Sequence, residues 1–367
     1  MLIPFSPYSP ALMPWSRRLA DAANSSCSSL PGPAGLSQVR KLMPLQPGDP
    51  GACLSAPSGG LSLAHGGCLD QWDAGGSLIR HVELLTGESI ELGRGAQGPV
   101  HFWGPALWLE GGRCAFVSPR KILILEADGS QRVLTTSADA SFHATGGMTA
   151  STDGRLMVFS GAGDLHVLFH QDFLALRLSF RRDGAHAAIG PPLHPPTLYK
   201  DGRMVLQHEL GCLCCSAMGE VEWWFPGGDL AHPPVLNRDE DCGFLEASGR
   251  TVFVDRQGTP LSEMPETLLL ASRPKGGWIG LGDQALYALD RNYDLRWRLP
   301  VEGAGLAPVV DGRGWIWLVD GTHTLMQVSP QGGIVNTLAL PSRPGPPALV
   351  ARGLLALDLG REVWLIS

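Results

Sequence analysis

"LYALDRNYDLRWRLPV", residues Leu286 to Val301, is two apolar runs split by a short polar segment. Alternation with a period of two marks a strand, and two such runs around a turn read as a hairpin. Within it a polar residue, Asp290, is followed three positions later by Tyr293, where a turn would ordinarily place glycine, and seven positions later by a large residue, Trp297.

The same spacing recurs along the chain. "SAMGEVEWWF" supplies Ser216, Gly219 and Trp223, and "DAGGSLIRHV" supplies Asp73, Gly76 and Arg80. Further copies give Glu126, Gly129 and Val133; Asp255, Gly258 and Ser262; and Ser329, Gly332 and Asn336. A weaker copy, "HQDFLALRL", begins at His170 with Phe173 in the glycine position. Upstream of many copies lies a second turn, Asp-Gly-Arg at Asp153, Asp201 and Asp311, itself preceded by a proline and a short apolar run, as at Pro105, Pro195, Pro233, Pro308 and Pro346. Each unit is therefore four short strands, repeated at the spacing of propeller blades. The fold class expected is all-β, a single β-propeller.

Blade number follows from the ends. "PPALVARGLLALDLGREVWLIS" supplies inner and middle strands but stops at Ser367 before an outer one, whereas Ser37 to Leu45 reads as an outer strand with no blade of its own. Joining them closes an eighth blade and removes two open sheet edges. Eight blades are expected, or seven if the copy at His170 is an embellishment. Residues 1–35 form a proline- and serine-rich extension, and 36–367 the propeller. The extension, with Phe5, Tyr8, Leu12 and Trp15, is apolar enough either to pack across the ring or to dock on a partner.

Composition agrees. The 367 residues include 47 glycines and 30 prolines, and only 17% are charged, which suits many tight turns. A net charge of −7 without a basic run argues against nucleic acid as a partner. No apolar run is long enough to cross a membrane. The N-terminal arginines follow the apolar stretch rather than precede it, the reverse of a secretory signal, so a cytoplasmic protein is expected. Seven of the eight cysteines sit in or beside apolar, strand-like stretches, and none has the paired spacing of a zinc site, which fits buried thiols.

"ALDRNYDLRW" followed by "APVVDGRGWIWLVDG" resembles the pyrroloquinoline-quinone-type repeat of quinoprotein-like propellers, and the resemblance covers roughly residues 37 to 367. It implies that Trp223 and Trp297 dock one blade on the next, with Gly219 and Asp290 shaping the turns. Quinone-dependent members cover their cofactor with a disulfide between adjacent cysteines. Cys214 and Cys215 are adjacent, yet they fall in a strand, where successive side chains point to opposite faces. The resemblance thus implies a non-enzymatic member, with no cofactor expected.

Other candidates for chemistry are weak. His166 and His170 on one strand would stand roughly 13 Å apart by strand rise, too far for one ion. Asp239, Glu240 and Asp241 lack the spacing of a calcium loop. No metal ligand or catalytic residue is assigned. The distinctive segments are three long connections, Thr86 to Gly104, Thr135 to Met148 and Arg181 to Pro196, which belong to successive blades and would cluster on one rim. Their large groups, Trp103, Phe142, His143, His186 and His194, are the candidate partner-binding residues. The expected function is a non-catalytic scaffold for protein–protein interaction or substrate recognition in a larger assembly. Systems that pair a MoxR-type ATPase, a von Willebrand-type protein and a propeller are an architectural analogy for such an assembly. The alternative is a propeller enzyme, a lyase, hydrolase or oxidoreductase, with a small-molecule site at the channel mouth.

Overall fold

Asp290 and its counterparts bond to the main chain of their own turns. The Asp290 carboxylate accepts hydrogen bonds from the amides of Asn292 (2.8 Å) and Asp294 (3.0 Å), and the Tyr293 amide donates to the Asp290 carbonyl (3.1 Å). Asp255 does the same for Gln257 and Thr259, and the Ser216 hydroxyl for Met218 and Glu220. A side-chain acceptor thus satisfies amides that the turn takes out of the ladder. The residue three positions on is left-handed: Gly219 at φ 86°, Gly258 at 81°, Gly332 at 87° and, against its steric preference, Tyr293 at 66°.

These turns join third and fourth strands within a set of eight four-stranded antiparallel sheets, blade 8 being closed differently, in a computed structural model of the chain. The structure describes residues 27–45, 53–55, 60–65, 67–84, 90–92, 96–98, 103–109, 112–117, 122–134, 148–150, 155–159, 164–169, 175–179, 194–208, 211–228, 232–303 and 306–367. Numbered in chain order, blades 1 to 8 open at the inner strands Leu54–Ser55, Trp103–Leu109, Thr149–Ala150, Thr197–Leu198, Val235–Leu236, Leu269–Ser272, Val309–Val310 and Ala348–Ala351. The weak copy at His170 is a full blade. Its outer strand, Ala175–Ser179, pairs antiparallel with Asp164–Phe169, and the eight-blade expectation holds. His170 and Phe173 lie outside the described residues.

Blade 8 is closed from the other end of the chain. Its inner strands run Ala348–Ala351, Leu354–Asp358 and Val363–Ile366, and the outermost is Val39–Leu42, in register from Val39 opposite Ile366 to Leu42 opposite Val363. The expected segment, Ser37 to Leu45, contains this strand.

The core is a cycle of layers between blades rather than one interior. Leu107, Ile124 and Val158 join blades 2 and 3; Met157, Leu206 and Cys215 join 3 and 4; Cys214, Phe244 and Val254 join 4 and 5. Phe253, Trp278 and Tyr287 link blades 5 and 6, and Ile279, Leu318 and Val328 link 6 and 7. A larger cluster through Trp317, Trp364, Leu54, Trp72 and Trp108 carries the packing from blade 7 through 8 and 1 to blade 2. Each fully buried Leu, Val or Phe contributes about 1.5–3 kcal/mol of transfer free energy, so the many small interfaces together fix the ring.

Candidate functional site

Antiparallel blades divide their loops between two rims. The turns from the first to the second strand and from the third to the fourth lie on one rim. The second-to-third turns and the connections between blades lie on the other. Among the described residues the first rim is built of repeated, short, hydrogen-bonded turns. Its larger parts lock neighbouring blades together: the Trp223 ring stands over Gly258 of blade 5 and the Trp297 ring over Gly332 of blade 7, where an added Cβ would come within 2.5 and 2.6 Å of the rings. Trp297 also donates its indole N–H to the Pro330 carbonyl (3.0 Å). Arg40 and Arg80 occupy the same position over Gly76 and Gly129. Trp223 and Trp297 each contact the turn of the next blade, and Gly219 and Asp290 lie in third-to-fourth turns of their own blades.

Between blades 5 and 6 the arrangement is inverted. Ser262 replaces the large residue on the strand, and Tyr293 replaces the turn glycine. The Tyr293 ring lies 5.2 Å from that of Phe253, and its hydroxyl donates to Asp241 (2.7 Å). Burial first, and then the Asp241 carboxylate beside it, push the Tyr293 phenol up. The bulk that fills the interface has moved from strand to turn.

Charge on this rim is paired across blades 4 to 6. Arg203 bonds Asp201 (2.9 Å), Glu222 (3.1 Å) and the Arg256 carbonyl (2.8 Å), Arg256 reaches Asp201 and Glu240, and Arg291 reaches Asp239. Burial pushes the Asp201 carboxyl up, but the Arg203 amide and the Arg256 and Arg203 guanidinium groups outweigh it and hold the carboxyl below its usual range. Asp239, Glu240 and Asp241 thus belong to an ion-paired turn. The first strand of that turn's blade is capped by Asn237, whose side-chain oxygen accepts from the Asp239 and Asp241 amides at 2.9 Å each.

The N-terminal segment ends on the same rim. Cys27 bridges Val310 in parallel on the axial edge of blade 7's inner strand, with the Ser28 amide donating to the Val310 carbonyl (2.8 Å). From there the chain runs outward between blades 7 and 8. The Gly312 amide donates to Leu30, the Gly353 amide to Pro31 and the Gln327 amide group to Pro33. Gly35 lies beside Asn336, and Leu36 is buried in the inter-blade core. Residues 27–36 therefore stand where blade 8, interrupted by the chain ends, has no third-to-fourth turn. Packing on the ring is one of the two expectations for the extension, but the contacts of residues 27–36 are mostly main-chain hydrogen bonds, which leave no residue pattern to place them.

The second rim is unequal. Residues 84–102, 135–148 and 180–196 connect blades 1 to 2, 2 to 3 and 3 to 4, whereas 265–268 suffice between blades 5 and 6. The first long connection carries a two-stranded hairpin of its own, Ile90–Leu92 with Ala96–Gly98. Trp103 begins the inner strand of blade 2, opposite Val117. His194 is half-buried just before the inner strand of blade 4. Phe142, His143 and His186 lie outside the described residues.

Among the described residues no group of three His, Cys, Asp or Glu side chains could hold a metal ion. His166 is buried in the strand Asp164–Phe169. Cys214 and Cys215 are free thiols on opposite faces of Gly211–Cys215, one packed toward blade 5 and the other toward blade 3. Burial pushes both thiols up. No helix among the described residues is long and apolar enough to cross a membrane.

No protein-family model matches the chain, and no curated protein matches it. Solved structures do. BamB from Moraxella catarrhalis is 15% identical, with a TM-score of 0.66 over 90% of this chain and 99% of that one. The Dos1 propeller is 11% identical, with a TM-score of 0.68 over 89% and 94%. A streptogramin B lyase is 11% identical, with a TM-score of 0.54 over 90% and 97%. At these identities the likeness is one of fold, shared by a lyase and by proteins not described as enzymes.

Proposed function

We propose that the chain is a non-catalytic propeller scaffold that binds a protein partner through the second rim, between blades 1 and 4. The observation that carries this reading is the asymmetry of the rims. Among the described residues one rim repeats a turn whose polar groups are spent on its own backbone and on neighbouring blades. The other breaks the repeat at three successive connections, and one of these adds a hairpin. Rigid blades that hold long, non-repeating loops in one sector form a recognition surface on a fixed frame. The partner in this reading is a component of a larger cytoplasmic assembly, with ATPase-containing systems as its architectural analogy.

The test is to replace residues 84–102, 135–148 and 180–196, singly and together, with short connections that copy residues 265–268. Each variant is then isolated from its host beside the parent chain. A partner recovered in stoichiometric amount with the parent and lost from a variant with unchanged thermal unfolding supports the reading. Retention of the partner by the triple replacement overturns it.

A further inference from the structure

Where the closing strand of blade 8 ends, the second rim carries a hollow of about 530 Å³. Its sides come from three parts of the chain. They are Met43, just beyond Val39–Leu42; Pro341, in the connection from blade 7 to blade 8; and Leu359 to Glu362, in the turn between the second and third strands of blade 8. Leu359 is buried, whereas Met43 is 66% exposed. A hollow of this volume is large enough to take a few side chains.

Both sides of the hollow are held. The Leu359 amide donates to the Glu362 carbonyl (2.9 Å) and the Gly360 amide to the Asp358 carboxylate (2.8 Å), which fixes the blade 8 turn. Opposite it, the Leu45 amide donates to Asp70 of blade 1 (3.0 Å), a buried carboxylate also bonded to His81 (2.6 Å). Met43 is therefore an exposed apolar side chain on an anchored segment, between strand pairing at Leu42 and this bond at Leu45. Charge at the hollow is unequal. Glu362 is answered by Lys41 (3.4 Å) and by the Trp364 indole N–H (2.8 Å). Arg361 lines the hollow and Arg343 follows Ser342 at its edge; both are exposed, and neither has a hydrogen-bond or ion-pair partner among the described residues.

We propose that this hollow docks a short acidic segment of a protein partner, with a large apolar side chain entering between Met43 and Leu359 and a neighbouring carboxylate on Arg361. The apolar contact supplies the anchor, and the unanswered guanidinium, which can hold a carboxylate by two parallel bonds, selects what stands beside it. The chain's net charge of −7 repels an extended polyanion such as nucleic acid or an acidic membrane, whereas a few acidic residues meet only the local positive charge. The site lies outside the sector of blades 1 to 4 and adds a second contact on the same rim. It rests on the scaffold reading only for the class of partner.

The test is selection of random peptides displayed on phage against the full chain, followed by affinity measurement on the peptides recovered. These are expected to combine a large apolar residue with neighbouring Asp or Glu. Met43→Asp and Arg361→Glu, both at exposed positions, are each expected to weaken binding about tenfold or more with an unchanged melting curve. Selection against the Arg361→Glu chain should turn toward Lys and Arg beside the same apolar residue, which a loss of shape alone would not cause. The chain with all three long connections replaced is expected to bind the peptides as the parent does, so failure here is distinct from failure of the loop test. The proposal is overturned if the parent recovers no peptide, or only neutral or basic ones. It is equally overturned if either substitution leaves affinity unmoved, if Arg361→Glu still selects acidic peptides, or if the loop-replaced chain loses them.

Discussion

At the scale of single residues the ring is held by a large side chain set on a left-handed turn. Replacing the partly buried Trp297 with Ala removes the ring from Gly332 and the bond to Pro330, a loss of about 2 kcal/mol, below that of a fully buried aromatic truncation. Gly332→Ala attacks the same contact from the other side, adding a Cβ where φ is 87° and the ring is 2.6 Å away, and should cost about 2 kcal/mol. Because the two positions share one interface, the double variant should be less destabilised than the sum, which a denaturant double-mutant cycle reads directly. Tyr293 makes the opposite case. Tyr293→Gly relieves the backbone but empties the space against Phe253 and removes one of the two side-chain donors to Asp241, leaving the Asn237 amide, so the consensus turn residue is expected to destabilise this blade. Sequence alone marks Tyr293 as a departure from the repeat. Its compensation by Ser262 becomes visible only when blades 5 and 6 are packed, since the two residues belong to different repeats.

Titration belongs to this scale as well. The Asp201 carboxyl is held below its ordinary value in the fold, so its contribution is present above the unfolded value of about 3.9 and is lost as pH falls through the folded one. Asp201→Asn should flatten part of the acid limb of a stability-against-pH curve and leave the neutral region with only the loss of partly exposed ion pairs. The thiols behave differently. Seven of the eight cysteines are buried and Cys27 is half-buried, and burial pushes Cys53, Cys114, Cys212 and Cys215 well up. A thiol reagent at neutral pH should modify Cys27 in the native protein and all eight cysteines in denaturant.

Elements answer a different question, how a ring with two chain ends stays shut. Val39–Leu42 covers the edge of Val363–Ile366, and residues 27–36 cover the seam between blades 7 and 8 where a turn is missing. Deleting residues 1–42 removes Leu36 and Leu42, each 5% exposed, and should cost about 3–6 kcal/mol from those two side chains alone. It also bares an edge strand prone to aggregation. The closing strand was legible in the sequence because it was an outer strand without a blade. The seam was not, because Ser28, Leu30 and Pro31 act there through main-chain atoms.

For the whole molecule, the repeat that reveals the fold is also what hides the function. Residues such as Asp73, Gly129 and Trp223 recur because most blades share one turn and one contact, so they report construction. What differs between blades is the length of the connections of blades 1 to 4 on one rim, where the proposed binding surface lies. Trp103 and His194, chosen from sequence as large groups in long connections, stand at the two ends of that sector as lead-ins to inner strands. The measurement that bears most directly on the scaffold reading is cross-linking mass spectrometry of the chain with its partner, isolated from the host. Cross-links concentrated in residues 84–102, 135–148 and 180–196 are the expected result. Cross-links confined to the opposite rim, around Asp201, Arg256 and Arg291, would contradict it.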